Sequence, residues 1–425
     1  VKSEGKLPKL ERWTVLADGL MAQGLGGSIS AAAEAGASVR PRIESVDLLR
    51  GIVMVVMALD HTRDYFGDPR VDLHTTAALL GQGDALLFVT RWITHFCAPV
   101  FVFLAGTSAY LATRRGKSRP QLARFLLVRG LWLIFLELTF VHFGWQLDFD
   151  PHFEVLQVIW AIGWAMVVLA GLVFLPAWAI AAFGALLVVG HNLFDGVAPT
   201  QAGALTALWT VLHRPGLIEP MGGFRAFVAY PLIPWVGVMA LGFVFGRVMT
   251  FEPSRRRRLL FTLGATLTLA FVALRAINLY GDPTPWTVQK NALFTLFAFV
   301  NCEKYPPSLL YLLMTLGPAL LVLGWLEGRD SPLARPLITF GRVPLFYYLL
   351  HLPLINVASR LIAYLRYGPA ALGFAAHPEA MPADYGFSLP TIYLVWALVV
   401  VALYLPCRWL MDLKRTRRDW WLSYL

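Results

Sequence analysis

The densest run of reactive side chains in the 425-residue chain is Asp60, His61, Arg63 and Asp64, at the end of the segment RIESVDLLRGIVMVVMALDHTRDYF from Arg42. On a helix Asp60 and Asp64 stand four apart and His61 and Asp64 three apart. A carboxylate can then accept a hydrogen bond from the imidazole and fix its tautomer. This is the arrangement of an oriented base, with Arg63 beside it as a pocket residue. The same residues also fit an interfacial ion-pair cluster that anchors a helix end, with His61 filling a gap.

A second imidazole, His95, lies in RWITHFCAPVFVFLAG from Arg91, where Pro99 cannot donate the bond that would reach the His95 carbonyl. Broken helices at membrane depth are tolerated where they line a cavity. His95 therefore either faces the pocket of His61 or makes a helix–helix hydrogen bond. In GRVPLFYYLLHLPLIN, from Gly341, Tyr347 sits one turn before His351 between Pro344 and Pro353. A pocket wall and a staple between helices fit this segment equally. Cys97 has no basic neighbour to activate it and reads as an inert buried thiol. In QLDFDPHFE, from Gln146, Asp148, Asp150, His152 and Glu154 alternate in a way that suits one face of a strand. No strand is expected there, so the segment reads as an acidic loop, and no metal site is expected in the chain.

These residues sit in a chain that is 57% hydrophobic and only 15% charged, with 15 Trp and 28 Phe, which points to lipid as the solvent. Ten runs approach the roughly 20 apolar residues that cross a bilayer: 48–66, 86–112, 122–145, 153–175, 177–194, 227–249, 259–280, 308–326, 337–365 and 388–411. An all-α bundle of about ten transmembrane helices follows. Ionisable residues inside such spans cost several kcal/mol unless paired or wetted, which makes the first span a functional candidate.

The 36 Lys and Arg outnumber the 26 Asp and Glu, for a formal charge of +10. Their placement sets the topology. With a cytoplasmic N-terminus, the inner connections hold Arg114, Arg115, Lys117 and Arg119, then Arg247 and the run from Arg255 to Arg258, then Arg329 and Arg335; Lys414, Arg415, Arg417 and Arg418 follow in the tail. Outer connections hold only Arg70, Arg214, Arg225, Lys290, Lys304 and Arg366, and collect Asp148, Asp150, Asp195, Glu303 and Asp384. Both termini are predicted to be cytoplasmic, and the basic runs read as topogenic loops rather than nucleic-acid contacts. Three regions follow: a flexible N-terminal segment 1–41 without a cleavable signal, a membrane domain 42–412 and a basic tail 413–425. The three cysteines imply no disulfide framework. No internal repeat and no GxxxxGK phosphate loop is present.

The segment SVDLLRGIVMVVMALDH resembles the first-span motif of the transmembrane acyltransferase superfamily, in which an Arg-Gly or Arg-Ala pair precedes a histidine, the arginine by eleven positions. Arg50 and His61 have that spacing. THFCAPVFVFLAG, VLQVIWAIG, KYPPSLLYLLMTLGP and TFGRVPLFYYLLH resemble bacterial membrane proteins grouped with the heparan-alpha-glucosaminide N-acetyltransferase catalytic domain. The resemblance runs from about Arg42 to the C-terminus. It implies a bundle of about ten helices in the bacterial cytoplasmic membrane, moving an acyl group, usually acetyl from cytosolic acetyl-CoA, to an extracytoplasmic sugar. In acyltransferase family 3 the histidine matched by His61 is essential and the arginine matched by Arg50 is tied to the donor. In the glucosaminide branch that histidine position resembles an asparagine, and the catalytic histidine lies eleven residues further on. Asp72 holds that place here, with His74 nearby. The Arg-x-x-Arg motif of family 3 is replaced by Arg124 and Arg129, five apart, and Arg129 is the expected second donor contact.

The reading that results is an acyltransferase with His61 as base, Asp60 or Asp64 orienting it, and His95 or a backbone donor at the oxyanion. Direct transfer and an acyl-histidine intermediate remain equally open. The rival class is a secondary transporter of a small polar or anionic solute, which predicts paired interrupted spans that the sequence lacks. Cysteine labelling tests the topology: probes near Arg255 should react from the cytoplasm and probes near Asp150 from outside. Reversed labelling would overturn the ten-span arrangement.

Overall fold

A backbone in lipid must satisfy every N–H and C=O internally, and helices do so within one segment. The computed structural model describes residues 43–68, 84–150, 152–197, 203–219, 223–329, 332, 334–374, 381–417 and 419–424. The expected N-terminal segment 1–41 and the positions Arg70, Asp72, His74 and Arg418 lie outside the described residues.

The first helix, α1 (Glu44–Phe66), is followed by α2 (Ala85–Thr94), α3 (Cys97–Arg114) and α4 (Arg119–Leu136). A π-helical turn over Glu137–Val141 leads into α5 (His142–Gln146). Strand β1 (Phe153–Leu156) then precedes α6 (Val158–Leu172), α7 (Ala177–Gly190) and α8 (Ala204–Leu212). Strands β2 (Gly216–Ile218) and β3 (Arg225–Val228) come next, followed by α9 (Leu232–Phe245), α10 (Pro253–Ile277), α11 (Ala292–Val300) and α12 (Leu309–Leu326). The last helices are α13 (Ala334–Arg342), α14 (Pro344–Tyr367) and α15 (Leu389–Thr416).

Among the described residues, eight helical stretches are long and apolar enough to cross a membrane. Two of the ten expected spans fall short of that mark: α1 has the length but carries Glu44, Asp47, Arg50, Asp60, Arg63 and Asp64, and α6 has only 15 residues. Trp178, Leu186, Leu269, Val401 and Leu405 are exposed on the helices, an apolar surface suited to lipid.

The helical bundle carries three short strands among the described residues. Residues 153–156, counted above as the start of one span, pair in parallel with residues 225–228, which overlap the start of another at Phe227, and β2 adds antiparallel to β3. The alternation in QLDFDPHFE was therefore in part a true strand signal, since Glu154 lies on β1. α15 runs to Thr416, into the basic tail, and Leu422 is buried.

α1 is the hub, packed against α2, α3, α12, α13, α14 and α15. Its crossing with α13 is closer than side chains allow. A Cβ on Gly51 would stand 1.8 Å from the Leu337 carbonyl oxygen, and one on Gly341 1.8 Å from that of Asp47. Small residues that admit such backbone approach supply the van der Waals contact that holds helices together in lipid. Gly51→Ala should therefore cost about 1–3 kcal/mol or prevent assembly. Gly171→Ala, at a helical glycine with nothing within 4 Å, should be neutral or slightly stabilising. Unfolding in mixed micelles compares the two, and equal effects would contradict the close crossing.

Candidate active site

The last two turns of α1 carry Asp60, His61, Arg63 and Asp64 into a cavity of about 810 Å³. All four line it, together with Arg91 from α2, Trp145 from α5, and Tyr230, Lys304 and Tyr305 from loops. Val155 and Phe227, paired across the sheet, close one side, and Phe387, Leu389 and Ile392 close another.

Asp60 is buried, and cations surround it. Arg91 Nη1 donates to both carboxylate oxygens at 2.8 Å, Arg63 Nη2 lies 3.0 Å away and Lys304 Nζ 3.8 Å away. Arg63 also donates to Asp64 Oδ1 at 2.6 Å. Three cations thus face Asp60 and Asp64 in one wall of the cavity, whose lining also includes Asp68 and Asp84. The expectation that Asp60 or Asp64 orients His61 is corrected: Asp60 accepts from Arg91 and lies beside Arg63 and Lys304, and Asp64 accepts from Arg63 of its own helix.

The partner of His61 is His351, Nδ1 to Nε2 at 2.7 Å, with the rings stacked 4.9 Å apart. On its far side His351 Nδ1 faces the carbonyl oxygens of Tyr348 at 2.7 Å and Tyr347 at 3.1 Å. A carbonyl only accepts, so His351 Nδ1 carries the proton and its Nε2 offers a lone pair. His61 Nδ1–H must then be the donor, which leaves the lone pair of neutral His61 on Nε2, for which no protein partner exists among the described residues. Trp145 holds the His61 ring edge-on at 5.1 Å.

Tyr347 and His351, expected to line a substrate pocket, are fully buried behind His61 and do not line the cavity. His95 does not line it either, and its Nδ1 has no partner. The break at Pro99 is real: α2 stops at Thr94, α3 starts at Cys97, and the Tyr311 hydroxyl donates to the freed His95 carbonyl at 2.7 Å. Sequence reasoning passed over Arg91 and Lys304. Arg91 carried a signal, as a charged residue inside an apolar run, whereas Lys304 was counted only as loop charge.

Lys304 is set by a network below it. Buried Arg275 of α10 donates to the carbonyls of Thr284, Ala298, Phe299 and Asn301 and lies 3.5 Å from Asp282, which accepts from Glu303 N and Ser308 Oγ. Burial raises the Asp282 carboxyl above its usual range, although Arg275 opposes this. Burial alone would also raise the Tyr305 phenol, but Lys304 and Arg91 outweigh it and bring it below its ordinary value.

Arg50 lies at the other end of α1. It donates to Ser108 Oγ at 2.8 Å and to the Gly341 carbonyl at 3.1 Å, and lies 3.2 Å from Asp47. Eleven residues are about three helical turns, so Arg50 and His61 share one face about 16 Å apart. Arg129 stands within electrostatic range of Arg50.

Over residues 42–281, more than half of the chain, the sequence matches the family described as heparan-alpha-glucosaminide N-acetyltransferase, catalytic. The chain belongs to this family. No curated protein matches it. The family is one of membrane-embedded acetyltransferases, and the apolar helices agree with an integral membrane protein. The match covers Arg50, Arg129 and the cluster on α1 and α2, but ends before Lys304 and His351.

The ion network makes a measurable demand. Arg91→Met strands the Asp60 charge with Arg63 and Lys304 alone, and should cost about 3 kcal/mol, the low end for a broken buried pair. Combining it with Asp60→Asn should recover most of that loss in a double-mutant cycle. Additive losses would show that the two residues are not coupled.

Proposed function

We propose that the protein transfers an acyl group, acetyl in the simplest case, from cytosolic acyl-CoA to a hydroxyl or amine of an extracytoplasmic sugar or glycan. The observation that carries this reading is the imidazole pair, which directs the lone pair of His61 Nε2 away from His351 in a residue that lines a large cavity. Family membership supports the acetyl group and the glycan acceptor.

The acceptor O–H or N–H gives its proton to His61 Nε2 as its oxygen or nitrogen attacks the thioester carbonyl. The carbonyl π electrons move onto oxygen, where the cationic groups of Arg63, Arg91 and Lys304 stabilise the oxyanion. Collapse expels the CoA thiolate, which needs little acid help, since a free thiol has a pKa near 8.5, and His61 then returns the proton. His351 is a positioning residue: its Nε2 holds His61 Nδ1–H throughout and shares the charge of the imidazolium. Arg63, Arg91 and Lys304 take the oxyanion role given above to His95. Arg50 and Arg129 hold the donor's phosphates at the cytoplasmic end, and the pantetheine arm runs along α1 to His61. No step requires a metal.

A secondary transporter fits the charged cavity but gives no reason for the fixed tautomers.

His61→Ala should lower transfer by about 100- to 10,000-fold while thermal stabilisation by CoA persists. His351→Gln should lower kcat with little change in donor KM, because it disturbs the base and not the binding end. An active His61→Ala enzyme would remove His61 as the base. A folded wild-type protein with no CoA-dependent shift at millimolar ligand would favour the transporter.

A further inference from the structure

We propose that His191, Asp195 and His213 form a binding site for one divalent transition metal ion, zinc by its chemistry, separate from the acyl-transfer cavity. One potential ligand atom from each lies within 4.8 Å of the others. His191 and His213 are buried at 2% and 3% exposure, and Asp195 keeps a route to solvent. The three come from two elements: His191 and Asp195 from the turn that ends α7, His213 from the end of α8.

The independent sign of a missing ligand is His191. Its two ring nitrogens have no hydrogen-bond partner beyond the adjacent Pro307 carbonyl, so at least one of them is left unsatisfied. A buried nitrogen left in this state costs about 1–3 kcal/mol, and a metal ion bound to it would relieve that cost. The edge between His213 Nε2 and Asp195 Oδ1 is 3.3 Å. A tetrahedral ion with bonds of about 2.1 Å sets its ligands about 3.4 Å apart, so the His213–Asp195 edge is already formed, and the others, within 4.8 Å, would shorten on binding.

The surroundings are those of a metal site. Asn192 Nδ2 donates to the second oxygen of Asp195 at 2.8 Å, and the Pro307 carbonyl lies beside the His191 ring, ready to accept from the nitrogen that does not bind metal. Imidazole with carboxylate excludes calcium and magnesium, which prefer all-oxygen shells. The Trp209 ring, centred 4.8 Å from that of His213, crowds the site and favours four-coordinate zinc with one water over an octahedral ion with three open positions.

The site also meets a structural need. α8 buries only Thr210 among its nine residues, and Leu205 and Leu208 are exposed, so packing alone fixes it weakly. Asn192 Oδ1 accepts from Leu309 N at the start of α12, close after the Lys304 loop, and Pro215, two residues past His213, lines the cavity. Metal binding would tie α8 to this frame and steady one wall of the active site.

The test uses full-length protein purified in detergent through a tag that contains no histidine. Mass spectrometry of metals should find about one zinc per chain, and chelation should lower Tm, with recovery on adding Zn²⁺ but not Mg²⁺ or Ca²⁺. Cobalt(II) in its place should give the intense visible absorption of a four-coordinate ion. His191→Ala and Asp195→Asn should remove the metal, Asn192→Ala should weaken binding by about 10- to 100-fold, and His152→Ala, at an exposed imidazole, should leave it intact. Protein that folds without metal and shows the same Tm with chelator and with Zn²⁺ would overturn the proposal. So would zinc retained in His191→Ala. Should the variants fail to fold, the chelation and cobalt measurements on the wild-type chain decide alone.

Discussion

The constraint on which the site depends is the burial of Asp60 as an anion in a helix bundle. An unpaired carboxylate there would cost far more than the fold can supply, so cations must come to it. Arg63 is on the same helix, but Arg91 belongs to α2 and Lys304 to the loop before α12. The charge thereby gathers three parts of the chain that share no sequence proximity. Arg275 then holds the Lys304 loop through four carbonyls, so a second buried cation underwrites the position of the first. The cavity wall is assembled by electrostatics on a scaffold fitted together by close glycine contacts.

The helical membrane fold was legible because hydrophobic runs of fixed length leave few alternatives. Limits appeared where length or composition was marginal. α1 is too charged to read as an ordinary span, and this is because its last turns build the site. The strands were missed because Phe153 to Leu156 and Arg225 to Val228 abut apolar helices, so short apolar strands merge with the spans that follow them. Their pairing is long-range, between residues some seventy apart, and no local pattern announces it.

Within the site, the residues on α1 were legible and their partners were not. Helical spacing describes neighbours on one helix, which made Asp60 and Asp64 look like partners of His61. The actual partner, His351, is 290 residues away. Its tautomer is set by carbonyls of its own helix, Tyr347 and Tyr348, near the kink-forming Pro353. The sequence signalled that His351 belonged to a polar face, but which neighbour that face met depended on how α14 crosses α1. The metal-type cluster escaped for a similar reason: His191 and Asp195 have a helical spacing of four, but His213 joins them only through the placement of α8.

The division between carboxylates and imidazoles has a consequence for the proposed chemistry. An aspartate bonded to His61 would strengthen the base, but it would also cancel positive charge where the thioester oxygen must become negative. Giving His61 a neutral imidazole partner separates the two tasks. His351 fixes the ring and its lone pair without adding a negative charge, while Asp60 is spent on holding Arg63, Arg91 and Lys304 at the cavity wall. Asp68 and Asp84 also line the cavity, so what favours an oxyanion over the neutral thioester is not a net surplus of positive charge but the grouping of Arg63, Arg91 and Lys304 around Asp60 in one wall. Preorganised charge of this kind costs no rearrangement at the moment of reaction. The burial that makes Asp60 expensive is thus what allows its cations to act at low dielectric, where each is worth more than in water.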